Sequence, residues 1–217
     1  MRRNMQRWGL IVLLILFGMF SNTISGDRAR EKSSKTYKVG EKLPKSANQS
    51  NIATNYRKLN WDELMPQDWD PMKALKGLDL SKMQDSDPRA MEALEKVRAT
   101  WNDAPIVPEL NGAKVEIPGF VVPLDVDPDR VKEFLLVPYF GACIHVPPPP
   151  SNQVLHVLVP KTLTKQQLAA LKNAVLMYGT ISVSGTLETA SVNTAMGFSS
   201  YRIKADSIDA YKAPENR

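Results

Sequence analysis

The chain has 217 residues, 16 of them proline, and a formal net charge of +5 at neutral pH. This length suits one ordinary domain with extensions, and the proline content argues against a long helical bundle. The excess of positive charge lies before position 59, because residues 1–26 hold three arginines and no acidic residue and residues 27–58 hold nine Lys and Arg against three Asp and Glu. The remainder is mildly acidic, which disfavours nucleic-acid binding, since that function needs a basic face on the folded domain.

The N-terminus has the features of a secretory signal peptide, which we predict over residues 1–26. Three arginines precede or flank an apolar core at residues 9–20, and small residues follow this core up to Gly26. A core of about a dozen residues is shorter than the roughly 20 that a membrane-spanning helix needs. We therefore expect cleavage and a periplasmic or otherwise exported protein, with an uncleaved anchor as the less favoured alternative.

The next two segments differ in their apolar content. Residues 27–58 predict a disordered basic tether, because they are rich in Lys, Ser, Asn and Thr and show no apolar periodicity. Residues 59–104 predict a helical extension that docks onto the following domain. Its first part contains Trp61 and Trp69, and aromatic side chains of this size are costly to leave in water.

Within this extension, a helix is predicted to begin at Pro88 with Asp87 as its N-cap. Apolar side chains recur at spacings of three and four residues, which predicts one stripe buried against the sheet. The predicted stripe consists of Met91, Leu94, Val97 and Trp101.

Residues 112–212 predict five strands and a second helix, from short runs of β-branched and aromatic residues separated by turn residues. Thr164 is the predicted N-cap of the helix, and Gly179 follows its end. The strands are expected at residues 114–122, 133–137, 154–159, 180–187 and 200–208, and the helix at 165–177.

This order of elements matches a five-stranded OB-type barrel, in which a helix separates the third and fourth strands. Pro118 and Gly119 interrupt the first strand where such a strand must bend. The predicted fold is α+β, mainly β: a small OB-like barrel at residues 112–212 preceded by the helical extension. A plain α+β sheet with flanking helices is the alternative.

The unusual chemistry of the chain is concentrated between the second and third predicted strands. This stretch holds the sole cysteine, Cys143, one of two histidines, His145, and a run of four prolines. Residues two apart in extended backbone point to the same face, so Cys143 and His145 could reach one metal ion. Zinc accepts thiolate and imidazole ligands, and a four-ligand site would need His156 as the third ligand and Asp125, Asp127 or water as the fourth. An open or transient zinc site is therefore favoured over a closed structural one.

Several other interpretations of these residues stay open. A blue-copper centre is less favoured than zinc, because no Met follows His145 within the loop. Cys143 can instead be a small buried hydrophobe, and His156, among Val and Leu, can be a strand histidine with satisfied hydrogen bonds. His145 can also activate Cys143 as a nucleophile, although the prolines remove the backbone donors that an oxyanion site would use.

The proline run suggests binding rather than catalysis. Prolines fix φ and lack an N–H group, so they form a short stiff rod, and rigid segments lose little entropy on binding. The alternative is that this loop covers one mouth of the barrel. The candidate binding residues are Tyr139, Pro147, Pro148, Pro149, Pro150, Asn152 and Gln153.

The same stretch carries a family resemblance. The sequence Gly141-Ala-Cys-Ile-His-Val-Pro-Pro-Pro-Pro-Ser-Asn-Gln153, with Gly119-Phe-Val-Val-Pro-Leu124 and Phe134-Leu-Leu-Val-Pro-Tyr139 before it, resembles the bacterial DUF3299 family. The resemblance covers the chain from about residue 59 to 211, and we assign the domain to residues 59–212. It implies an exported domain of unknown function, associated with ABC-transporter components and zinc starvation.

These observations predict an exported, non-enzymatic binding or accessory protein that uses residues 143–153. The expected partner is an envelope protein such as an ABC-transporter component, with a link to zinc homeostasis. The cofactor considered is zinc, with Cys143 and His145 as its ligands. The alternative is a thiol-dependent redox protein or enzyme that uses the same two residues.

Overall fold

A computed structural model describes residues 36–44, 55–73, 76, 88–125, 127, 131–144 and 148–213, so the predicted signal peptide lies outside it. These residues form a mixed α+β structure made mainly of strands, which confirms the predicted fold class. The elements are β1 (Arg57–Lys58), α1 (Pro88–Asn102), β2 (Lys114–Pro123), β3 (Glu133–Val137), β4 (Leu155–Leu158), α2 (Lys165–Met177), β5 (Thr180–Thr194) and β6 (Gly197–Ala210). Short 3₁₀ turns lie at Trp61–Leu64, Pro108–Leu110 and Ser151–Gln153.

The strands form one sheet in the order β1-β2-β3-β4-β6-β5, and a further pairing of β2 with β5 closes β2 to β6 into a ring. The pairs β1–β2 and β4–β6 are parallel, and the other pairs are antiparallel. Helix α2 lies between β4 and β5 in the chain and packs mainly against β6. Within the described part of the chain, no helix is long and apolar enough to cross a membrane.

Strand β2 serves both sides of the ring because it changes partner along its length. Residues 114–120 pair with β5, and residues 120–123 pair with β3. Gly119 lies at this change, where the sequence predicted a special position. A Cβ atom at Gly119 would be 2.6 Å from Leu136 Cγ and 3.0 Å from the Trp61 ring. Glycine therefore allows both side chains to pack directly on the strand.

Two apolar clusters lie on opposite faces of the strands. Alternation along β3 places Phe134 and Leu136 in the main cluster and Leu135 and Val137 in the second. The main cluster also contains the buried residues of α2. The second cluster has the buried members Phe120, Val122, Leu135, Val137, Ala142 and Val154.

Part of the stretch predicted as a tether packs on the second cluster. The ring centroids of Tyr37 and Phe120 are 5.0 Å apart in an edge-to-face arrangement. Gly40 N–H donates to the carbonyl of Phe140 at 2.9 Å, and Phe140 N–H donates to that of Glu41 at 3.0 Å. Residues 37–44 are thus held by aromatic packing and backbone pairing, while residues 27–35 and 45–54 lie outside the described residues.

Helix α1 begins at Pro88 as predicted, but its buried face differs from the predicted stripe. Ala90, Ala93 and Val97 are buried, whereas Met91 and Leu94 are exposed. Small side chains let a helix backbone approach its neighbour closely, and here the larger residues point away. The prediction that Met91 and Leu94 are buried was therefore wrong.

The C-terminal elements follow the predicted order. Helix α2 has the predicted bounds, with a capping box between Thr164 and Gln167. Strands β5 and β6 extend well beyond the predicted residues 180–187 and 200–208 to form a long hairpin. Register shifts occur between Ser184 and Gly185 and between Thr189 and Val192. These shifts break the simple alternation on which the sequence prediction relied.

Candidate functional site

The loop between β3 and β4 turns sharply before its proline run. Gly141 has φ 83° and Cys143 has φ 63°, and both values lie in the left-handed region. The turn is closed by a hydrogen bond from Ile144 N–H to the Gly141 carbonyl at 3.2 Å. A left-handed conformation is uncommon for cysteine, so the surrounding packing must hold Cys143 in place.

Cys143 is half-buried and packs against the second cluster with Tyr139 and Ile144. Burial raises the pKa of its thiol to about 11, because the thiolate loses solvation in an apolar setting. The thiol is therefore protonated at neutral pH. Reactive cysteines have the opposite feature, a pKa lowered by a nearby cation or helix N-terminus.

The predicted zinc ligands are only partly described. His145 and Pro147 lie outside the described residues. Among the residues that are described, no group of three or more His, Cys, Asp and Glu side chains is arranged to hold a metal ion. Asp125 instead accepts a hydrogen bond from the backbone N–H of Asp127 at 3.1 Å, which closes a local turn. A site formed by Cys143 and His145 stays a prediction.

Asn152 and Gln153, both predicted as binding residues, point into the protein. The Asn152 amide donates to the Pro105 carbonyl at 2.9 Å, and the Gln153 amide donates to the Trp61 carbonyl at 2.9 Å. Both side chains are buried. Their amide groups therefore join the end of the proline run to the N-terminal extension.

Ser151 extends this connection on both sides. Its hydroxyl oxygen accepts a hydrogen bond from Ala104 N–H at 3.2 Å and another from the Ser200 hydroxyl at 2.7 Å. The first bond reaches the extension and the second reaches β6. The three residues of the 3₁₀ turn Ser151–Gln153 thus fix the loop to two separate parts of the structure.

The three prolines of the run that the structure describes differ in solvent exposure. Pro149 and Pro150 are buried, and Pro148 is exposed. Pro148 lies beside the tip of the β5–β6 hairpin, since a Cβ atom at Gly197 would be 3.2 Å from Pro148 Cβ and 3.9 Å from Cys143 Sγ. We name the surface formed here the loop rim. Its members are Tyr139, Cys143, Ile144, Pro148 and Met196.

Tyr139 marks the edge of the loop rim. It is half-buried and forms an isolated antiparallel bridge with Lys42. Burial raises the pKa of its phenol, so the ring is neutral throughout the physiological range. The loop rim is therefore an apolar surface that includes one aromatic hydroxyl and one protonated thiol.

His156 occupies a separate polar network on β4. Its Nε2 atom lies 2.9 Å from a Glu133 carboxylate oxygen, and the Arg202 Nε–H donates to its Nδ1 atom at 3.2 Å. A nitrogen that accepts from arginine carries no proton, so Nε2 is the atom that donates to Glu133. Both ring nitrogens are occupied within the chain, which leaves neither for a metal ion. This agrees with the expectation of a satisfied strand histidine.

The hydrogen-bond partners of His156 were not predicted from the sequence. Glu133 and Arg202 are 23 and 46 positions away from it. Each falls within a predicted strand, but the pairing of β3, β4 and β6 that brings them together is not visible in a single sequence. The hydroxyl of Ser199, which accepts from His156 N–H at 3.2 Å, escaped for the same reason.

Comparisons with known proteins agree on one family. Residues 61–210 match the family model described as protein of unknown function (DUF3299). The chain is also similar to the crystal structure of a DUF3299 family protein from Pseudomonas aeruginosa PAO1, at 30% identity and a TM-score of 0.51. That similarity covers 73% of this chain and 98% of the other. No curated protein matches the chain.

Proposed function

The chain belongs to the DUF3299 family, and on this premise we propose that it is an exported, non-enzymatic binding protein whose loop rim docks on a protein of the cell envelope. The observation that carries this proposal is the buried anchoring of the proline run. Asn152 and Gln153 hold the end of the run through their side-chain amides, so the exposed Pro148 is attached to a part of the run that is already fixed before any partner arrives.

Anchoring matters because association costs conformational entropy. A loop already held in one conformation loses less entropy on binding than a mobile loop does. The left-handed backbone at Cys143 and the contact of Pro148 with the hairpin tip restrict the loop further. The loop rim therefore has the preorganisation of a docking surface.

The composition of the loop rim also suits a protein partner. Its members include Tyr139 and Met196, and aromatic residues and Met are enriched in interfaces. A Met side chain adapts to irregular surfaces, and a partly buried tyrosine offers a hydroxyl to a polar group of the partner. On the family resemblance, the partner is a component of an envelope ABC transporter.

A thiol-dependent redox protein or enzyme is the alternative, and the setting of Cys143 argues against it. Burial raises the pKa of this thiol to about 11, whereas nucleophilic cysteines need a stabilised thiolate. Zinc binding by Cys143 and His145 would require loss of the same proton. We therefore favour protein binding over both thiol chemistry and zinc binding. Zinc binding is one of the outcomes that the metal analysis distinguishes.

We further propose that the ring of strands is an OB-like barrel. Three features support this: β2 pairs with both β3 and β5, β4 and β6 are parallel, and α2 connects the third and fourth strands of the ring. In this arrangement the loop rim is formed by the connection between the second and third strands, together with Met196 from the turn between the fourth and fifth. Export would depend on residues 1–26 as the signal peptide.

Photocrosslinking in the native cell tests the docking surface. Two variants are made, with a photoreactive amino acid at Ile144 in one and at Pro148 in the other. Both should crosslink to the same envelope protein. The matched control is Leu94, which is exposed on α1 and is not a member of the loop rim. Identical products from Leu94, or different products from the two loop positions, would contradict the proposal.

Native mass spectrometry with elemental analysis separates the alternatives. The protein purified without chelator is compared with the variants Cys143→Ser and His145→Ala. Stoichiometric zinc that both variants lose would replace the protein-docking function by metal handling. A mixed disulfide through Cys143 would favour redox chemistry, whereas a metal-free Cys143→Ser variant that keeps its crosslink supports the proposal.

A further inference from the structure

Residues 37–44 lie across the second apolar cluster, and we name this segment the strap. The Tyr37 ring packs edge-to-face on Phe120 at 5.0 Å and stacks on Phe140 at a centroid separation of 6.5 Å. Leu43 packs against the same cluster near the other end of the strap. The strap therefore has one aromatic anchor and one aliphatic anchor.

A turn separates the two anchors and carries the backbone contacts of the strap. Glu41 N–H donates to the Lys38 carbonyl at 2.8 Å, and Gly40 within this turn has φ 82°, a left-handed value that favours glycine. The bonds from Gly40 N–H to the Phe140 carbonyl and from Phe140 N–H to the Glu41 carbonyl attach the turn to the loop after β3.

The strap is attached less firmly than the extension that follows it. Each of residues 37–44 is exposed or half-buried, and Val39 is 53% exposed. In the extension, by contrast, Leu59 and Leu64 are fully buried. A segment with few buried apolar contacts opens at a lower free-energy cost than the core does. The strap can therefore open while the sheet stays folded.

An open cleft of about 450 Å³ lies at the Leu43 end of the strap. Residues 42–44 line it together with Trp61, Pro118 and Pro138. The strap is thus incompletely packed against the extension at this end. A side chain from another molecule can enter the cleft and contact aromatic and proline surfaces before the strap has moved.

A polar group near the Tyr37 end of the strap is unsatisfied. The hydroxyl of Tyr211 is buried and has no hydrogen-bond partner among the described residues. Burial raises the pKa of Tyr211, and the nearby Tyr37 phenol raises it further, so the two side chains are neighbours. A buried hydroxyl without a partner destabilises the arrangement that buries it. A segment that offers an acceptor at this place would gain a hydrogen bond that the strap does not supply.

We propose that the strap is a reversible cover on a peptide-docking groove, and that a segment of a partner protein with the same anchors takes its place. The groove consists of Phe120, Phe140 and Tyr211 at one end and the cleft beside Trp61 at the other. In this mode of recognition, main-chain bonds supply affinity and side-chain anchors supply specificity.

The strap itself shows which segment fits the groove. Its anchors are Tyr37, a turn with Gly40 three positions later, and Leu43 three positions after that. Lys38 and Lys42 between them are exposed, so the groove imposes no charge at those positions. The expected occupant is therefore a segment with an aromatic residue, a glycine turn and a leucine at the same spacing.

The groove adjoins the loop rim, because Lys42 of the strap forms its antiparallel bridge with Tyr139. An envelope protein docked on the loop rim is thus well placed to insert such a segment. This last step rests on the proposed function, whereas the groove can be tested without any envelope protein.

A fluorescent peptide with the sequence of residues 36–44 tests the groove in the purified protein. The peptide competes with the strap, so its apparent affinity is reduced by the small fraction of molecules that are open. Tyr37→Ala in the protein removes the aromatic anchor of the strap and raises that fraction. Fluorescence anisotropy should therefore show at least about tenfold tighter peptide binding to Tyr37→Ala than to the parent protein.

Controls separate this effect from a general loss of structure. Leu43→Ala removes the other anchor and should act like Tyr37→Ala, so the result does not depend on one variant. The matched control is Val39→Ala, at an exposed position of the strap, and it should leave peptide affinity unchanged. A peptide that itself carries Tyr37→Ala should bind none of these proteins. Circular dichroism melting checks that each variant is folded.

Amide hydrogen exchange measures opening in the parent protein. The Gly40 and Phe140 amides bond between the strap and the loop, so their protection factors should be similar. Both should be at least about a hundredfold lower than that of the Leu187 amide, which donates to the Ala113 carbonyl at 2.9 Å.

Three results would overturn the inference. The first is peptide binding that neither Tyr37→Ala nor Leu43→Ala strengthens. The second is equal protection of the Gly40, Phe140 and Leu187 amides, since the strap would then be a fixed part of the fold. The third is a dimer in sedimentation velocity that excess peptide dissociates, because this would assign the groove to a second copy of the chain. Failure of the loop-rim crosslinks would bear on the proposed function alone.

Discussion

The side-chain amide of Gln153 donates a hydrogen bond of 2.9 Å to the backbone carbonyl of Trp61, 92 positions earlier in the chain. The Trp61 indole N–H in turn donates to the Pro118 carbonyl at 2.8 Å. The loop, the N-terminal extension and β2 are thus linked in series. Loss of one member should loosen the loop even though the loop rim itself is unchanged.

Replacement of Gln153 by alanine tests this link. Gln153→Ala removes a buried donor and leaves the Trp61 carbonyl without its partner, so the free energy of unfolding should fall by about 1–3 kcal/mol. Urea unfolding followed by linear extrapolation measures the change. Gln166→Ala, at an exposed position on α2, should change stability by less than about 0.5 kcal/mol. Equal effects of the two variants would show that the link carries no stability.

Tyr201 provides a second connection between the extension and the ring. The side chain is fully buried. Its hydroxyl donates to the Leu64 carbonyl at 2.9 Å and accepts from Val107 N–H at 2.7 Å. Tyr201→Phe leaves both backbone groups without this partner, and we expect a loss of about 1–3 kcal/mol in the free energy of unfolding.

The matched control for this substitution is Tyr56→Phe. The Tyr56 hydroxyl donates to an Asp206 carboxylate oxygen at 2.8 Å, but this bond is exposed. Water can replace it, so the control should cost less than about 1 kcal/mol. A Tyr201→Phe variant no less stable than Tyr56→Phe would contradict a structural role for the buried hydroxyl. Both variants are measured by urea unfolding at the same pH.

The sequence predicted a helix feature correctly where the residues that determine it are close together in the chain. Helices α2 and α1 show the difference. The bounds of α2 follow from the cap at Thr164 and the turn at Gly179, all within 16 positions. The buried face of α1 does not, because the small Ala90 and Ala93 are buried while the larger Met91 and Leu94 are exposed. Hydrophobic periodicity indicates a helix well but selects its buried face poorly when alanine can pack as closely as leucine.

The same distinction applies to the candidate site. The proline run and Cys143 are visible as an unusual local sequence, and the crowded position of Gly119 was visible as an interruption in β2. From the sequence alone, the amides of Asn152 and Gln153 suited hydrogen bonds to a binding partner as well as hydrogen bonds within the chain. Their acceptors lie 47 and 92 positions away, so only the folded arrangement identifies them as anchors.

Gly185 is a position where the fold tolerates no side chain. A Cβ atom there would overlap the Lys204 carbonyl oxygen and lie 2.8 Å from Ala205 Cα. These are backbone atoms of the paired strand β6, so they cannot move without breaking the ladder. Gly185→Ala should therefore lower the free energy of unfolding by at least about 3 kcal/mol.

Gly119→Ala is the comparison for Gly185→Ala. Its added Cβ would meet side chains, Leu136 and Trp61, rather than backbone. Those side chains can shift in part, so we expect a loss of about 1–3 kcal/mol. Thermal or urea unfolding of both variants shows which substitution lowers the free energy of unfolding more. A larger loss for Gly119→Ala would show that β5 and β6 can separate at the register shift.

Cys143 should react slowly with alkylating agents in the folded protein. Burial raises the pKa of its thiol to about 11 from an ordinary value near 9, which lowers the thiolate fraction at pH 8 about a hundredfold. Iodoacetamide should therefore modify folded Cys143 at least about a hundred times more slowly than the same residue in urea. The rate should continue to rise with pH beyond pH 9, as more thiolate forms.

The raised pKa also predicts how stability depends on pH. The folded state holds the thiol proton more tightly than the unfolded state, so this contribution is complete below pH 9 and is lost as the pH rises toward 11. The parent protein should lose stability relative to Cys143→Ala between about pH 9 and pH 11. Both proteins carry Tyr139→Phe in this comparison, because the pKa of Tyr139 is raised by burial and also by the charge of Cys143. The other buried tyrosines are common to both proteins and cancel in this difference. A reaction midpoint near pH 7 would mean that the thiolate is stabilised and would favour the redox alternative. A stability difference that does not change with pH would mean that folding leaves the pKa of this thiol at its ordinary value.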